Sequence, residues 1–196
     1  MKTIAFTGRR PKYLGGYDAR KYANFYTEFM PWLEWFYSQG YTRFISGGAQ
    51  GFDMLAFGCV NQLRQKHFEI GDAQVENIVY IPFEGQSNKW AENGIFSKAD
   101  YNQMLALATD TKLVCDVSNP QGNFAIRCLM VRNHAMIDDA DLVVALYEGR
   151  GDSWVSAKGG TPEAIRYAKK QGKPVFRVGY RLDENGLLSV QGKGFI

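Results

Sequence analysis

Cysteine is scarce in this 196-residue chain: Cys59, Cys115 and Cys128 stand far apart, in apolar surroundings. That excludes a disulfide framework and a cysteine pair of metal-binding type, and fits reduced core residues in a cytoplasm. Histidine is scarcer, and His67 and His134 are isolated from any Cys or carboxylate cluster, so neither a metal nor another cofactor is expected. A surface or supporting role is expected for both. No run of 18 apolar residues occurs, which excludes a membrane-spanning helix. Charge of one sign is also lacking. A net charge of +3 does not announce a nucleic-acid binder, although Arg9, Arg10 and Lys12 form a local basic cluster. Neither GxGxxG nor GxxxxGK[ST] is found, which removes the usual support for hydride transfer and for a P-loop NTPase. No signal peptide is visible, because Met1-Lys2 leads straight into a strand-like run; the expected location is cytoplasmic. With no repeat or low-complexity linker, residues 1–196 are expected to form one domain.

What is present is an alternation of short apolar runs with helix-period segments. The runs 3–7, 42–46, 77–82, 111–115, 142–146 and 174–178 read as strands. Most are continuously apolar, as in a parallel sheet covered on both faces. The expected fold is α/β: a Rossmann-like three-layer sandwich with a mostly parallel sheet of about six strands. A C-terminal antiparallel hairpin is expected around Glu184-Asn185-Gly186, since Asn-Gly is a hairpin-turn signal. The pattern Phe52, Leu55, Ala56, Cys59, Val60, Leu63 fills one helix face. A first helix over about 18–38 carries Tyr22, Phe25, Tyr26, Phe29, Trp32, Trp35 and Phe36, to be used as core or as a self-association surface. Pro31 should kink or divide it.

Three glycine-bearing loops follow strands: Gly8-Arg9-Arg10-Pro11, Gly47-Gly48-Ala49-Gln50-Gly51, and the stretch from Gly149 to Gly160. The carboxyl edge of an open α/β sheet is where ligands bind, so three such loops there suggest a nucleotide-sized guest. The last is the strongest. Gly159 and Gly160 allow a tight turn, Thr161 suits an N-cap and Pro162 the first helical position, so the following helix should aim free N–H groups at an anion.

Four segments then resemble the SLOG superfamily, nearest its YpsA/YoqJ-like branch. They are Phe6-Thr7-Gly8-Arg9-Arg10-Pro11, Ser46 to Asp53, Arg132-Asn133-His134-Ala135-Met136-Ile137-Asp138, and Gly159-Gly160-Thr161 with Tyr167-Ala168. They occur in the family's order over nearly the whole chain. The resemblance implies a Rossmann-like fold that binds a nucleotide or nucleotide-derived small molecule at the glycine edge, as a sensor or binding protein, and it implies homo-oligomers. More distant relatives are the LOG phosphoribohydrolases, which cleave the N-glycosidic bond of cytokinin nucleotides, and the DNA-processing protein DprA. The alternatives are therefore a LOG-like nucleoside-monophosphate N-glycosidase and, ranked last, DprA-like single-strand DNA binding. By resemblance to LOG enzymes, Arg132 and Glu163 are the catalytic candidates. The chain departs from the LOG pattern GGxGTxxE, its glycines standing closer to the acid, and residues 150–158 stand as an insertion relative to YoqJ-like patterns.

Each further residue carries two readings. Glu163 either complements its own helix start, near Arg166, Tyr167 and Lys170 on one charged face, or serves catalysis. Ile126, Leu129, Met130 and Ile137 place Asn133 on an apolar helix face, so it needs a fixed partner, from a neighbouring loop or from the ligand. Arg132 beside it sits at the rim, reaching a phosphate or pairing with Asp138 or Asp139. Asp53 meets either the helix dipole or ribose hydroxyls, and Arg9 or Arg10 either an anion or solvent. The ligand-binding candidates are thus Gly8, Arg9, Arg10, Gly47, Gly48, Gln50, Gly51, Asp53, Arg132, Asn133, Gly159, Gly160 and Thr161. Trp90 either lids the site or, the favoured reading, anchors its loop.

Overall fold

The structure, a computed structural model, describes residues 1–72, 74–148 and 153–196. Among the described residues, seven strands form one sheet: β1 (Lys2–Gly8), β2 (Tyr41–Ser46), β3 (Glu76–Ile81), β4 (Asp110–Leu113), β5 (Leu142–Leu146), β6 (Val175–Leu182) and β7 (Leu188–Phe195). Their order is β4-β3-β2-β1-β5-β6-β7. All neighbours pair in parallel except β6 and β7, the C-terminal hairpin. The fold is the Rossmann-like α/β arrangement expected, with β7 as a seventh strand. The chain steps outward from β1 to β4, then returns to place β5 on the other side of β1. Between β1 and β5 the connections diverge, which opens a crevice at the carboxyl ends of those strands.

Helices α1 (Phe25–Ser38), α2 (Phe52–Glu69), α3 (Lys98–Leu107), α4 (Gly122–Asp138) and α5 (Gly160–Lys170) link the strands. The strand pleat decides which helix meets which residue, because successive side chains point to opposite faces. Ile4, Phe6, Leu142, Val144 and Leu146 meet α1 and α2. Ala5 and Ile45 meet Met136 of α4, and Val143 and Ala145 meet Ala164, Ile165 and Ala168 of α5. Among the described residues, no helix is long and apolar enough to cross a membrane.

The aromatic segment differs from expectation in two ways. Residues 19–22 form a separate 3-10 turn, its start held by the Asp18 side chain on the Arg20 amide, and α1 is not divided at Pro31, which lies inside it. The burial of Phe25, Phe29, Leu33 and Phe36 outweighs one missing backbone bond. Most of these rings are core rather than a self-association surface. Phe29 lies 5.2 Å from Phe25, 6.3 Å from Phe6 and 5.7 Å from Phe52, and Trp32 packs on Phe176.

Burial, followed by the neighbouring Cys128 thiol, pushes the Cys115 thiol up to about 11. Because Phe29 joins α1, α2 and β1, Phe29→Ala should cost roughly 3–5 kcal/mol of unfolding free energy, read by urea denaturation. A loss below about 1 kcal/mol would contradict that packing.

Candidate functional site

The crevice between β1 and β5 holds a cleft of about 250 Å³. Its walls come from three places: Thr7 to Arg10 with Lys12 and Tyr13 after β1, Arg132 and Asn133 of α4, and Lys158 to Thr161 at the start of α5. Ala49 and Asp53 close the inner end. A second cavity of about 680 Å³ adjoins it, sharing Arg10, Arg132, Asn133, Lys158, Gly159 and Gly160. Its other walls are largely apolar, with Ile126, Leu129, Met130 and Val155, and Glu163 and Arg166 at its edge.

Helix α5 begins differently from the expected pattern. Gly159, not Thr161, is the N-cap, at φ 121°, a conformation that favours glycine, and no side chain caps the helix. Thr161 lies inside the first turn and is buried, with Pro162 next to it where a missing N–H costs little. The first amides of α5 therefore have no capping side chain, and they open beside cleft-lining residues.

Arg132 is not at the rim. It is 3% exposed, donates Nη1 to the carbonyl of Gly47, and has Asp53 at 3.8 Å; it pairs with neither Asp138 nor Asp139. Those two engage Tyr167, and Tyr80 with Lys112. Its Nε is buried and makes no hydrogen bond among the described residues. Burial pushes the guanidinium down to about 10, with Asp53 opposing, so it stays charged at neutral pH. Burial likewise pushes Asp53 up, opposed by Arg132, Arg10 and the amides of the glycine turn.

The expected core face of α4 is also displaced. Ile126 is 55% and Met130 40% exposed, and the buried residues are Cys128, Arg132, Met136 and Ile137. The start of α4 faces the second cavity instead of the sheet, so its apolar residues line a wall. Asn133 is half-buried and lines both cavities, and its side chain makes no hydrogen bond among the described residues.

Four predicted residues do not line the cleft: Gly47, Gly48, Gln50 and Gly51. A Cβ on Gly47 would overlap the Arg132 guanidinium, and one on Gly48 would come within 2.8 Å of Tyr101. Gly51, at φ 95°, lets the start of α2 meet the Arg9 carbonyl, to which Phe52 N–H donates at 3.1 Å. The Gln50 amide donates to the Phe96 carbonyl at 2.7 Å and is tied to Tyr17. This turn's glycines serve close packing, and Gly8 has the same character, since a Cβ there would overlap Phe52.

Arg9 lines the cleft but is engaged. It donates Nε to Glu148 at 2.7 Å and lies between the rings of Tyr13 and Tyr147, 4.8 and 4.7 Å from their centroids. The Arg10 side chain makes no hydrogen bond or ion pair among the described residues and lines both cavities, as Lys158 does, so these two cations are available there.

Glu163 pairs with none of its expected helix neighbours. Arg166 donates instead to the carbonyls of Trp154 and Ala157, holding the wall before α5. Glu163 meets His134 Nε2 at 2.8 Å, a contact with no local sequence signal because the partners lie on different helices. Tyr147 and Glu148 carry no motif, and their place directly after β5 puts them at the carboxyl edge of the sheet. Trp90 packs 5.3 Å from Tyr101 and anchors its loop. Of the stretch 149–160, residues 149–152 lie outside the described residues, and with them the start of the insertion. No cluster of three or more metal-ligating side chains occurs among the described residues.

Comparison with known proteins gives two findings. The family model described as the YspA SLOG family matches residues 4–181. The uncharacterized SPbeta prophage-derived protein YoqJ of Bacillus subtilis (strain 168) is 33% identical over 134 residues, 65% of this chain and 70% of that protein.

Two outcomes test this geometry. Gly47→Ala should displace Arg132 and cost roughly 1–3 kcal/mol in chemical denaturation, whereas a neutral effect would contradict the contact. Burial pushes the Glu148 carboxyl up, but hydrogen bonds from Arg9 and Tyr180 and the guanidinium charge outweigh it and hold the group below its ordinary value. A depressed value stabilises the fold above about pH 4.3, the unfolded value, and that stability is lost as pH falls through the folded value. Melting temperatures of Glu148→Gln and the parent should therefore differ at pH 7 and converge as pH falls below about 4. An equal gap at both ends would remove the ion pair as its source.

Proposed function

The chain belongs to the YspA SLOG family, and from that premise we propose that it binds a nucleotide or nucleotide-derived small molecule, its phosphate seated at the start of α5. The observation that carries this reading is Arg132: a charged side chain, almost wholly buried, lining the same cleft as the uncapped start of α5. Burying a guanidinium costs several kcal/mol unless its charge is compensated, and an anion in the cleft adds countercharge to that of Asp53. Arg10 and Lys158 stand at the same opening, and the apolar second cavity gives the remainder of the ligand a place to leave water.

A second reading, nucleotide N-glycosidase activity, is favoured by Glu163 alone. Its carboxylate lines the apolar cavity one helical turn from the phosphate position, where it would stabilise a ribosyl cation and activate water. Arg132 would then act as the buried cation holding the phosphate.

Calorimetry against AMP, ADP-ribose and NAD should find at least one ligand, and Arg10→Ala should weaken it by roughly tenfold or more. Absence of binding across the panel would sink the proposal. Chromatography that finds no free base after prolonged incubation with a bound nucleotide would remove the glycosidase reading and leave binding intact.

A further inference from the structure

The start of α5 is shared by two spaces of different character. Arg10, Arg132, Asn133, Lys158, Gly159 and Gly160 line both, so the phosphate seat lies where cleft and cavity join. To one side is the cavity of about 680 Å³, walled largely by apolar side chains. To the other is the cleft of about 250 Å³, lined by Lys12, Tyr13 and Asp53 and by none of the apolar side chains of α4. A nucleoside monophosphate with its base in the apolar cavity ends at the seat and leaves the polar cleft to water.

Charge points the same way. Among the cations that line the cleft, Arg9 is paired with Glu148, and Arg132 faces Asp53 at 3.8 Å. The side chains of Arg10, Lys12 and Lys158 make no ion pair or hydrogen bond among the described residues. These uncompensated cations outnumber the roughly 1.5 to 2 negative charges of one phosphate monoester, and the positive end of α5 adds to them. Of the unpaired cations, Lys12 alone lines the cleft and not the cavity. Its backbone is fixed in the 3-10 turn Pro11–Tyr13, where Pro11 is buried and the Leu14 amide donates to the Pro11 carbonyl at 2.8 Å. Its Nζ lies 4.8 Å from the centroid of the Tyr13 ring, an aromatic face that steadies the ammonium without neutralising it.

We propose that the ligand carries two phosphoryl groups in series, as a nucleoside diphosphate does, and that Lys12 selects for the one farther from the nucleoside. The nearer phosphate takes the first amides of α5 with Arg10 and Lys158, and the farther one enters the cleft, where Lys12 supplies its countercharge. This inference names the ligand class for the nucleotide reading above and rests on it.

The test compares ADP with AMP by calorimetry in magnesium-free buffer, within each variant, so that any loss of folded protein cancels from the ratio. The parent protein should prefer ADP by about tenfold or more, the range of a hydrogen bond to a charged group. Lys12 is exposed, so its replacement costs the fold little. Lys12→Ala should lower the preference below about twofold, and Lys12→Arg, which keeps the charge, should retain most of it. Lys170→Ala removes an exposed charge from the opposite end of α5 and should leave the ratio unchanged. An unchanged ratio in Lys12→Ala would overturn the assignment, as would an equal fall in Lys170→Ala, which would make the preference one of net charge. A parent protein that binds AMP as tightly as ADP would overturn the two-phosphate ligand while leaving the nucleotide reading intact. If it binds no nucleotide at all, that reading falls and this inference with it.

Discussion

A buried guanidinium is the constraint around which the carboxyl edge of this sheet is arranged. Arg132 enters from α4, and its positive charge is met by a carbonyl of the β2–α2 turn and by Asp53 in the first turn of α2. Water is shut out, so the neighbours must supply what solvation would have given. That requirement explains why the turn begins with a residue lacking a Cβ, and why a carboxylate is buried near it. It also explains the cleft. A buried positive charge, lining the same cleft as a helix start that no side chain caps, makes a local field that favours an anion.

The topology decides where that field opens. Because β5 returns to the far side of β1, the loops after these two strands separate and leave room between them. Arg9, directly after β1, spans toward β5 by pairing with Glu148, and the rings of Tyr13 and Tyr147 hold its plane. One arginine of the Arg9-Arg10 pair therefore ties the two loops together, and the other is left facing the space. Adjacent residues of one type take different roles because backbone direction alternates along the chain, and only one of the two points at Glu148.

The second cavity follows from the placement of α4. Its later turns are anchored to the sheet by Met136 and Ile137, while Ile126 and Met130 near its start remain exposed to the open space before α5. Arg166 completes the opposite wall by holding carbonyls of residues 154 and 157. An apolar chamber thus adjoins a basic cleft, an arrangement suited to a ligand with one charged end and a flat or apolar remainder.

Much of this was legible in the sequence. Continuous apolar runs such as 142–146 identified the buried parallel strands, and Asn185-Gly186 identified the hairpin, because each signal is local to the segment that carries it. The resemblance of the four motif segments added the family. What the sequence left open depends on contacts between distant elements. Helical periodicity put Ile126 and Met130 on an apolar face, but an apolar face can meet a core or a cavity. Spacing likewise suggested glycines 47 to 51 as ligand contacts, whereas they make room for Arg132, Tyr101 and the Arg9 backbone. His134 offered no signal, since its partner lies 29 residues away on another helix. Local propensity and pattern determined the elements and their order; tertiary structure alone decided which polar groups share a buried space, because desolvation and charge pairing act through distance in three dimensions.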